Sequence, residues 1–287
     1  MSSVDKFIQT KIHLEKQLGS SYYSDNRCAI FCVDTVKSQK LLRSDLFDLI
    51  ITSPPYNIGK EYEKVMPIDK YVEWTKAWTT DAATLLKSDG SLMLNLGYVP
   101  CENKGRAIPL PYLLWDAIPM YLNQEIVWNY SAGVACKKYL SPRNEKILWY
   151  VKDSENYTFN LDSIRDPNVK YPNSKKNGKL RVNTLGKNPS DVWEIAKVTT
   201  GSGRSSLERT PHPCQFPMDL VNRLVLGFSN VNDIVFDPFL GSGTTIESCI
   251  INDRYCIGFE IREDYCKIAA DRIKNNINWQ EQLNVSV

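Results

Sequence analysis

Hydrophobic residues fall into short blocks along the chain whose spacing switches between helical and strand-like. Val4, Phe7, Ile8, Ile12 and Leu18 keep a rough helical stripe, which predicts an amphipathic packing helix at the N-terminus. Apolar runs at 29–33 and 47–51 flank a polar stretch holding Leu41 and Leu42, and read as strand, helix, strand. Residues 68–87, with Ile68, Tyr71, Val72, Trp78, Leu85 and Leu86, predict a helix, and Ser88-Asp89-Gly90 then turns the chain into a strand, SLMLNLG. A proline-punctuated helix around 110–120 and strands at 122–129 and 146–152 follow. Met218, Val221, Leu224, Val225 and Phe228 share one helical face; after it come a strand DIVFDP, the loop FLGSGTT, a helix and a strand RYCIGFE. Strands alternating with helices predict an α/β fold built from βα units.

Composition narrows the partners. The 287 residues carry 35 Lys+Arg against 33 Asp+Glu, so a uniformly basic chain is excluded and any nucleic-acid surface must be local. Such a local excess exists. Residues 133–210 hold 15 Lys+Arg and 8 Asp+Glu, which leaves the rest of the chain net negative. No window reaches the roughly 18 uninterrupted apolar residues of a spanning helix, and MSSVDKFIQTKIHLEK lacks the apolar core of a secretory signal, so a cytoplasmic protein without membrane contact is expected. Eight cysteines without a Cys-x-x-Cys pair, and only His13 and His212, predict reduced core thiols and no metal site.

Two segments carry candidate chemistry. Asp233 to Glu260 reads as strand, Gly-rich turn, helix and second strand with an acidic end, the arrangement that places a nucleotide over the first turn and a carboxylate on its ribose. Gly243 is followed by Thr244 and Thr245 with no lysine, so a P-loop is excluded, and the dinucleotide fingerprint is incomplete. An adenosine-containing ligand and a tight structural turn both fit the loop alone. The second segment, Thr52-Ser53-Pro54-Pro55-Tyr56, lies at the C-terminal end of a predicted strand, where ligands bind in open α/β sheets. Its prolines remove two N–H donors, leaving an acceptor-rich turn suited to an amino group, with Tyr56 offering a flat face for a planar base.

FDPFLGSGTT together with SPPY resembles the S-adenosylmethionine-dependent DNA amino-methyltransferases, and SPPY is typical of members that methylate N4 of cytosine. CVD at 32–34, LKSDGSLMLNLG at 86–97 and HPCQFP at 212–217 extend the resemblance over nearly the whole chain, with Val33 where the family usually has glycine. SPPY precedes FDPFLGSGTT with the basic stretch between them, which is the order of the family's β group. The resemblance implies a Rossmann-like methyltransferase sheet, mostly parallel with one antiparallel edge strand, plus an inserted target-recognition region. It implies a catalytic part at 1–132, a target-recognition region at 133–210 that includes an edge strand of the core sheet, and a cofactor-binding part at 211–287. Asp237, Phe239, Gly241, Ser242, Gly243 and Thr244 would wrap the cofactor, with Glu260 on its ribose, Asp34 near its adenine and His212 near its methionine end. Double-stranded DNA is the implied partner, contacted through Lys137, Lys138, Lys175, Lys176, Lys179 and Arg181. A cognate restriction endonuclease that forms no stable complex, and a monomer or homodimer, are further implications.

The expected reaction is direct methyl transfer to the N4 atom of a flipped-out cytosine, with Ser53 and the Pro54 carbonyl accepting from the amino group, Pro55 stiffening the turn and Tyr56 stacking on the base. A neutral hydroxyl at position 53 places no fixed anion beside the substrate, where adenine enzymes usually carry aspartate; N6-adenine methylation is the nearest alternative. A nucleotide-binding module without turnover is the alternative of a different class. Pro100-Cys101 and Pro213-Cys214 lack the context of a C5-cytosine nucleophile.

Overall fold

The computed structural model describes residues 2–130, 133, 135–199 and 206–285, with side chains described as far as residue 275. In chain order the elements are α1 (Ser3–Leu18), β1 (Tyr23–Ser24), β2 (Cys28–Cys32), α2 (Thr35–Ser38), β3 (Phe47–Thr52), α3 (Ile68–Leu85), β4 (Leu86–Leu96), β5 (Tyr98–Cys101), β6 (Gly105–Pro109), α4 (Pro111–Leu114), β7 (Tyr121–Asn129) and β8 (Asn144–Val151). They continue with β9 (Lys175–Lys176), β10 (Lys179–Leu180), β11 (Val192–Glu194), α5 (Met218–Phe228), β12 (Ile234–Asp237), α6 (Thr244–Ile251), β13 (Tyr255–Glu260) and α7 (Glu263–Val285).

Among the described residues, nine strands form one mixed sheet in the order β1-β2-β13-β12-β3-β4-β8-β7-β11. From β2 to β4 every neighbouring pair is parallel. The expected single antiparallel edge strand takes a fuller form. Two-residue β1 is antiparallel at one rim, while β8 fills the gap between β4 and β7 and is antiparallel to both. β7 and short β11 extend the sheet beyond β8, parallel to each other. From β3 the chain builds outward to β4 in one direction, and from β12 to β13 in the other. The β12/β3 seam is therefore the topological switch point, where open α/β sheets bind ligands beyond the C-terminal strand ends.

Alternation along the strands splits the core into two layers. Ile234 and Phe236 of β12, with Tyr255, Ile257 and Phe259 of β13, face the layer shared with α1 and α3, whereas Val235 and Cys256 face α5, α6 and α7. Aromatic pairs line the first layer: Phe47 stacks on Phe236 at 4.5 Å, and Phe236 meets Phe259 edge-to-face at 4.9 Å.

Three expectations are corrected. In α1 the buried stripe is Phe7, Thr10 and Leu14, with Phe7 stacked on Tyr255 at 4.8 Å, while Val4, Ile8 and Ile12 are exposed. The helix carries two apolar faces, and the one holding the large ring docks. The helix expected at 110–120 is one turn, α4, because Pro119 and the turn at 115–120 stop it. The Ser88-Asp89-Gly90 turn is absorbed into β4 as an irregularity, where register against β3 shifts between Phe47 and Leu49.

The stretch 133–210 contributes β8 to the sheet interior, β11 to its rim and the separate β9–β10 hairpin; its residues 134 and 200–205 lie outside the described residues. No described helix is long and apolar enough to cross a membrane.

Candidate active site

β3 delivers Ser53 to the sheet edge and the prolines carry the chain away from it. Tyr71 Oη of α3 donates to the Pro55 carbonyl at 2.8 Å, so that carbonyl serves to anchor the turn. Tyr56 lies against Gly97, just beyond β4, where a Cβ would come within 2.7 Å of its ring; only glycine permits that approach. The Tyr56 hydroxyl is the hub of a polar cluster. It lies 2.8 Å from Ser53 Oγ, donates to Glu145 Oε2 at 3.0 Å and accepts from Asn95 Nδ2 at 2.6 Å. Asn95 Nδ2 also donates to Glu145 Oε2 at 2.6 Å.

Glu145 reaches this edge because β8 runs antiparallel: its first residues lie beside the last residues of β4 and β7, with Trp128 opposite Glu145. Burial raises the Glu145 pKa, opposed by the hydrogen bonds from Asn95 and Tyr56 and by nearby Lys197. The expectation that Ser53 leaves no anion near the substrate is thereby revised. A carboxyl group stands one hydroxyl beyond Ser53, supplied by a residue 89 positions after Tyr56 in the chain.

Asp237 closes β12 and ties the two candidate segments together. Its carboxylate accepts from Thr52 Oγ1 at 2.9 Å, Thr245 Oγ1 at 2.6 Å and the Phe239 N–H at 3.1 Å. Burial pushes its pKa up to about 6 against those hydrogen bonds. Glu260 accepts from the Gly241 and Arg262 N–H groups at 2.9 and 3.0 Å, and burial raises its pKa too. Each oxygen of Glu260 retains acceptor capacity beyond these bonds.

Gly241 and Gly243 both have positive φ, +53° and +80°. A Cβ on Gly241 would lie 3.0 Å from His212 Nε2, and one on Gly243 2.8 Å from Ala269 Cβ on α7. The turn thus presents backbone to the space above it. Ser242 and Thr244 are buried, their hydroxyls 3.2 Å apart, and Arg272 donates to Thr244 Oγ1 at 2.8 Å. Phe239 packs edge-on to Trp78 at 5.1 Å. His212 accepts from the Cys214 N–H through Nδ1, so its neutral ring carries the proton on Nε2, facing Gly241. Burial pushes its pKa down to about 4. Asp34 caps α2, accepting from the Val36 N–H at 3.0 Å.

These groups line one cavity of about 1190 Å³. It takes in Ser53, Pro54, Pro55 and Tyr56 on one side and Asp34, His212, Asp237, Phe239, Gly241, Ser242, Thr244 and Glu260 on the other; Gly243 stands behind its neighbours. A drug-sized ligand needs roughly 300–1,000 Å³, so the space suits a nucleoside-sized cofactor with a second planar group beside it. Lys137, Lys138, Lys175, Lys176, Lys179 and Arg181 are exposed and line no part of it. Cations that do line it are Lys60, Lys64, Lys197 and Arg209, none of them singled out by the sequence. Asn95, Glu145, Trp128 and Tyr130 were likewise missed; for Glu145 a lone carboxylate opening a strand offers no spacing signal. Tyr62, on the loop after Tyr56, faces His212 in a stacked arrangement at 6.1 Å, and Tyr265 meets that histidine edge-on at 4.4 Å.

Comparison with known proteins agrees with this geometry. The family model of the N6/N4 methyltransferases, DNA methylases, matches residues 47–271. The Type II methyltransferase M.ScaI of Streptomyces caespitosus is 51% identical over 270 residues, covering 94% of this chain and 89% of its own length. Among solved structures, the cytosine-N4-specific PvuII DNA methyltransferase superposes with a TM-score of 0.68 at 18% identity, covering 88% of each chain. The M1.HpyAVI–SAM complex superposes with a TM-score of 0.56 at 24% identity, covering 86% of this chain and 98% of its own.

Proposed function

The chain belongs to the N6/N4 methyltransferase family of DNA methylases, and from that membership we propose that it is a β-group enzyme that methylates N4 of cytosine within a specific double-stranded DNA sequence. It is a DNA methyltransferase, and its methyl donor is S-adenosylmethionine. The residues fit that donor. The Gly241–Gly243 turn would hold it against backbone, Phe239 would give an apolar wall, and Glu260 keeps acceptor capacity for a ribose hydroxyl. Asp34 would lie near the adenine and His212 near the methionine end. When bound, the donor supplies a methyl group on a sulfonium, so the amino nitrogen forms its N–C bond as the C–S bond breaks.

The observation that carries the cytosine reading is the hydroxyl of Ser53 at the exit of β3, hydrogen-bonded to Tyr56 and facing the cavity. An exocyclic amine delocalises its lone pair into the ring, and acceptors on its N–H groups favour the pyramidal, nucleophilic form. Ser53 Oγ and the Pro54 carbonyl serve that purpose, and the cavity-facing side of Tyr56 stacks on the extruded base, offsetting part of the few kcal/mol of unstacking. The Glu145 carboxyl gives the N6-adenine alternative its one specific support, since it supplies the anion that Ser53 lacks.

Residues 133–210 form the target-recognition region in this reading, between a catalytic part at 1–132 and a cofactor-binding part at 211–287. Its β9–β10 hairpin turns at Asn177-Gly178, both at positive φ, and displays Lys175, Lys176 and Lys179 to solvent, a shape suited to phosphates along a groove. Lys137, Lys138 and Arg181 add to the same surface charge. The enzyme acts as a monomer or homodimer, and a restriction endonuclease cleaves the sites it protects.

Nucleoside analysis of DNA treated with the enzyme and S-adenosylmethionine tests the assignment. N4-methylcytosine is expected; N6-methyladenine as the sole product overturns the cytosine reading.

A further inference from the structure

Resting on the reading of the Ser53 turn as the seat of the target amino group, we propose that Glu145 acts through Tyr56 to hold Ser53 as an acceptor toward that group, and then takes up the proton the group sheds. The contacts run from Ser53 Oγ to Tyr56 Oη at 2.8 Å and from Tyr56 Oη to Glu145 Oε2 at 3.0 Å. An ionised carboxylate can only accept, so the single phenolic proton of Tyr56 points at Glu145. The Asn95 amide nitrogen, 2.6 Å from both oxygens, can only donate. Tyr56 Oη is left to accept from Ser53, whose hydrogen is committed inward and whose lone pairs face the cavity. A neutral Glu145 could donate to Tyr56 instead. The chain of donors would then reverse and turn the Ser53 hydrogen toward the substrate N–H.

The same contacts form a proton path. Once its N–C bond has formed, the amino nitrogen is cationic and one N–H bond breaks, leaving its electron pair on nitrogen. The proton passes to Ser53 Oγ, the Ser53 hydrogen to Tyr56 Oη and the Tyr56 hydrogen to Glu145 Oε2, which ends as a neutral carboxylic acid. Burial favours that end state, and Lys197 opposes it. Tyr98 and Tyr130, two further titratable groups that feel the Glu145 charge, stay protonated because burial raises both. The step starts from ionised Glu145, so its rate falls as pH drops through that residue's raised pKa.

Single-turnover methyl transfer, followed against pH, tests this in the wild type, Glu145→Gln, Glu145→Asp, Tyr56→Phe and the Glu145→Gln/Tyr56→Phe pair. Glu145→Gln should slow transfer by roughly 10²-fold, leave cofactor affinity by calorimetry unchanged and lose the acid limb of the profile, with partial rescue by Glu145→Asp. Tyr56→Phe keeps the ring against Gly97 and breaks the same chain, so the double variant should be no slower than the worse single one. A Glu145→Gln enzyme with the wild-type rate or an intact acid limb, or strictly additive losses in the pair, overturns the proposal and leaves the cytosine reading standing. N6-methyladenine as the wild-type product does the reverse.

Discussion

Thr52 Oγ1 donates to Asp237 Oδ1 at 2.9 Å across the seam between β3 and β12, joining residues 185 apart in sequence. Each is the last residue of its strand, and the Ser53-Pro54-Pro55-Tyr56 turn and the Gly-rich loop begin immediately after them. One buried hydrogen bond thus fixes the distance between the turn that would receive the base and the turn that would receive the cofactor.

Asp237→Ala strands the Thr52 and Thr245 hydroxyls and the Phe239 N–H in a buried site, at a cost of about 1–3 kcal/mol for each group left without a partner. Denaturant unfolding should show that loss, and calorimetry should show weakened cofactor binding. Thr52→Val removes a single bond and should cost about 1 kcal/mol. Equal stability of Asp237→Ala and wild type would contradict the bridging role.

Two buried groups give pH dependences of opposite sign. Burial depresses the His212 pKa from 6.5 to about 4, so the unfolded chain binds a proton that the folded chain refuses. The resulting stability is present above about pH 6.5 and is lost as pH falls toward 4, with a slope of about 1.4 kcal/mol per pH unit at most. Asp237 is raised from 3.8 to about 6, so its contribution is present below about pH 4 and is lost as pH rises through 6. On acidification from pH 7.5 to 5 without cofactor, His212→Gln should lose less melting temperature than wild type, and Asp237→Asn should lose more.

Neutralising Lys175, Lys176 and Lys179 together to Gln should weaken DNA binding and reduce its salt slope by about 0.9 for each phosphate contact removed. The hairpin lies apart from the cavity lining, so cofactor affinity should hold. An unaltered slope in a filter-binding titration moves the interface to Lys60, Lys64, Lys197 and Arg209, the cations at the cavity.

Strand exits were legible because their signals are local. The Ser53-Pro54-Pro55-Tyr56 and Gly241-Ser242-Gly243 turns follow short continuous apolar runs that read as buried strands, and both turns contribute to the cavity at the C-terminal ends of those strands. The partners of those turns were not legible. Glu145 reaches Tyr56 only because β8 inserts antiparallel between β4 and β7, and pairing order leaves no trace in the periodicity of a single strand. The docked face of α1 was missed for a related reason: Val4, Ile8 and Ile12 are as well spaced as Phe7 and Leu14, and only Tyr255, supplied by a distant strand, decides between them.

Ser53→Ala removes the hydroxyl while keeping the proline turn. Methyl transfer should fall by roughly 10²-fold, the scale for losing one positioned group, with cofactor binding nearly intact because Ser53 bonds to Tyr56 and not to the cofactor turn. A single-turnover rate within a few-fold of wild type would remove Ser53 from the reaction.

Gly97→Ala tests the placement of Tyr56 without touching any polar group. The added methyl would stand 2.7 Å from Tyr56 Cε2 and 2.9 Å from Cδ2, well inside van der Waals contact, so the ring must move. A ring displaced by a few tenths of an ångström stretches its bonds to Ser53, Glu145 and Asn95 together, since all three converge on the one hydroxyl. Overpacking of this kind costs typically 1–3 kcal/mol, which a domain of this size tolerates while folded. The cofactor turn is held separately by Asp237 and Glu260. Methyl transfer should therefore drop by about 10-fold or more at unchanged cofactor affinity, and Gly97→Ala combined with Tyr56→Ala should be no slower than Tyr56→Ala alone, since the clash is then gone. A further loss in the double variant would show that Gly97 acts through something other than the ring of Tyr56.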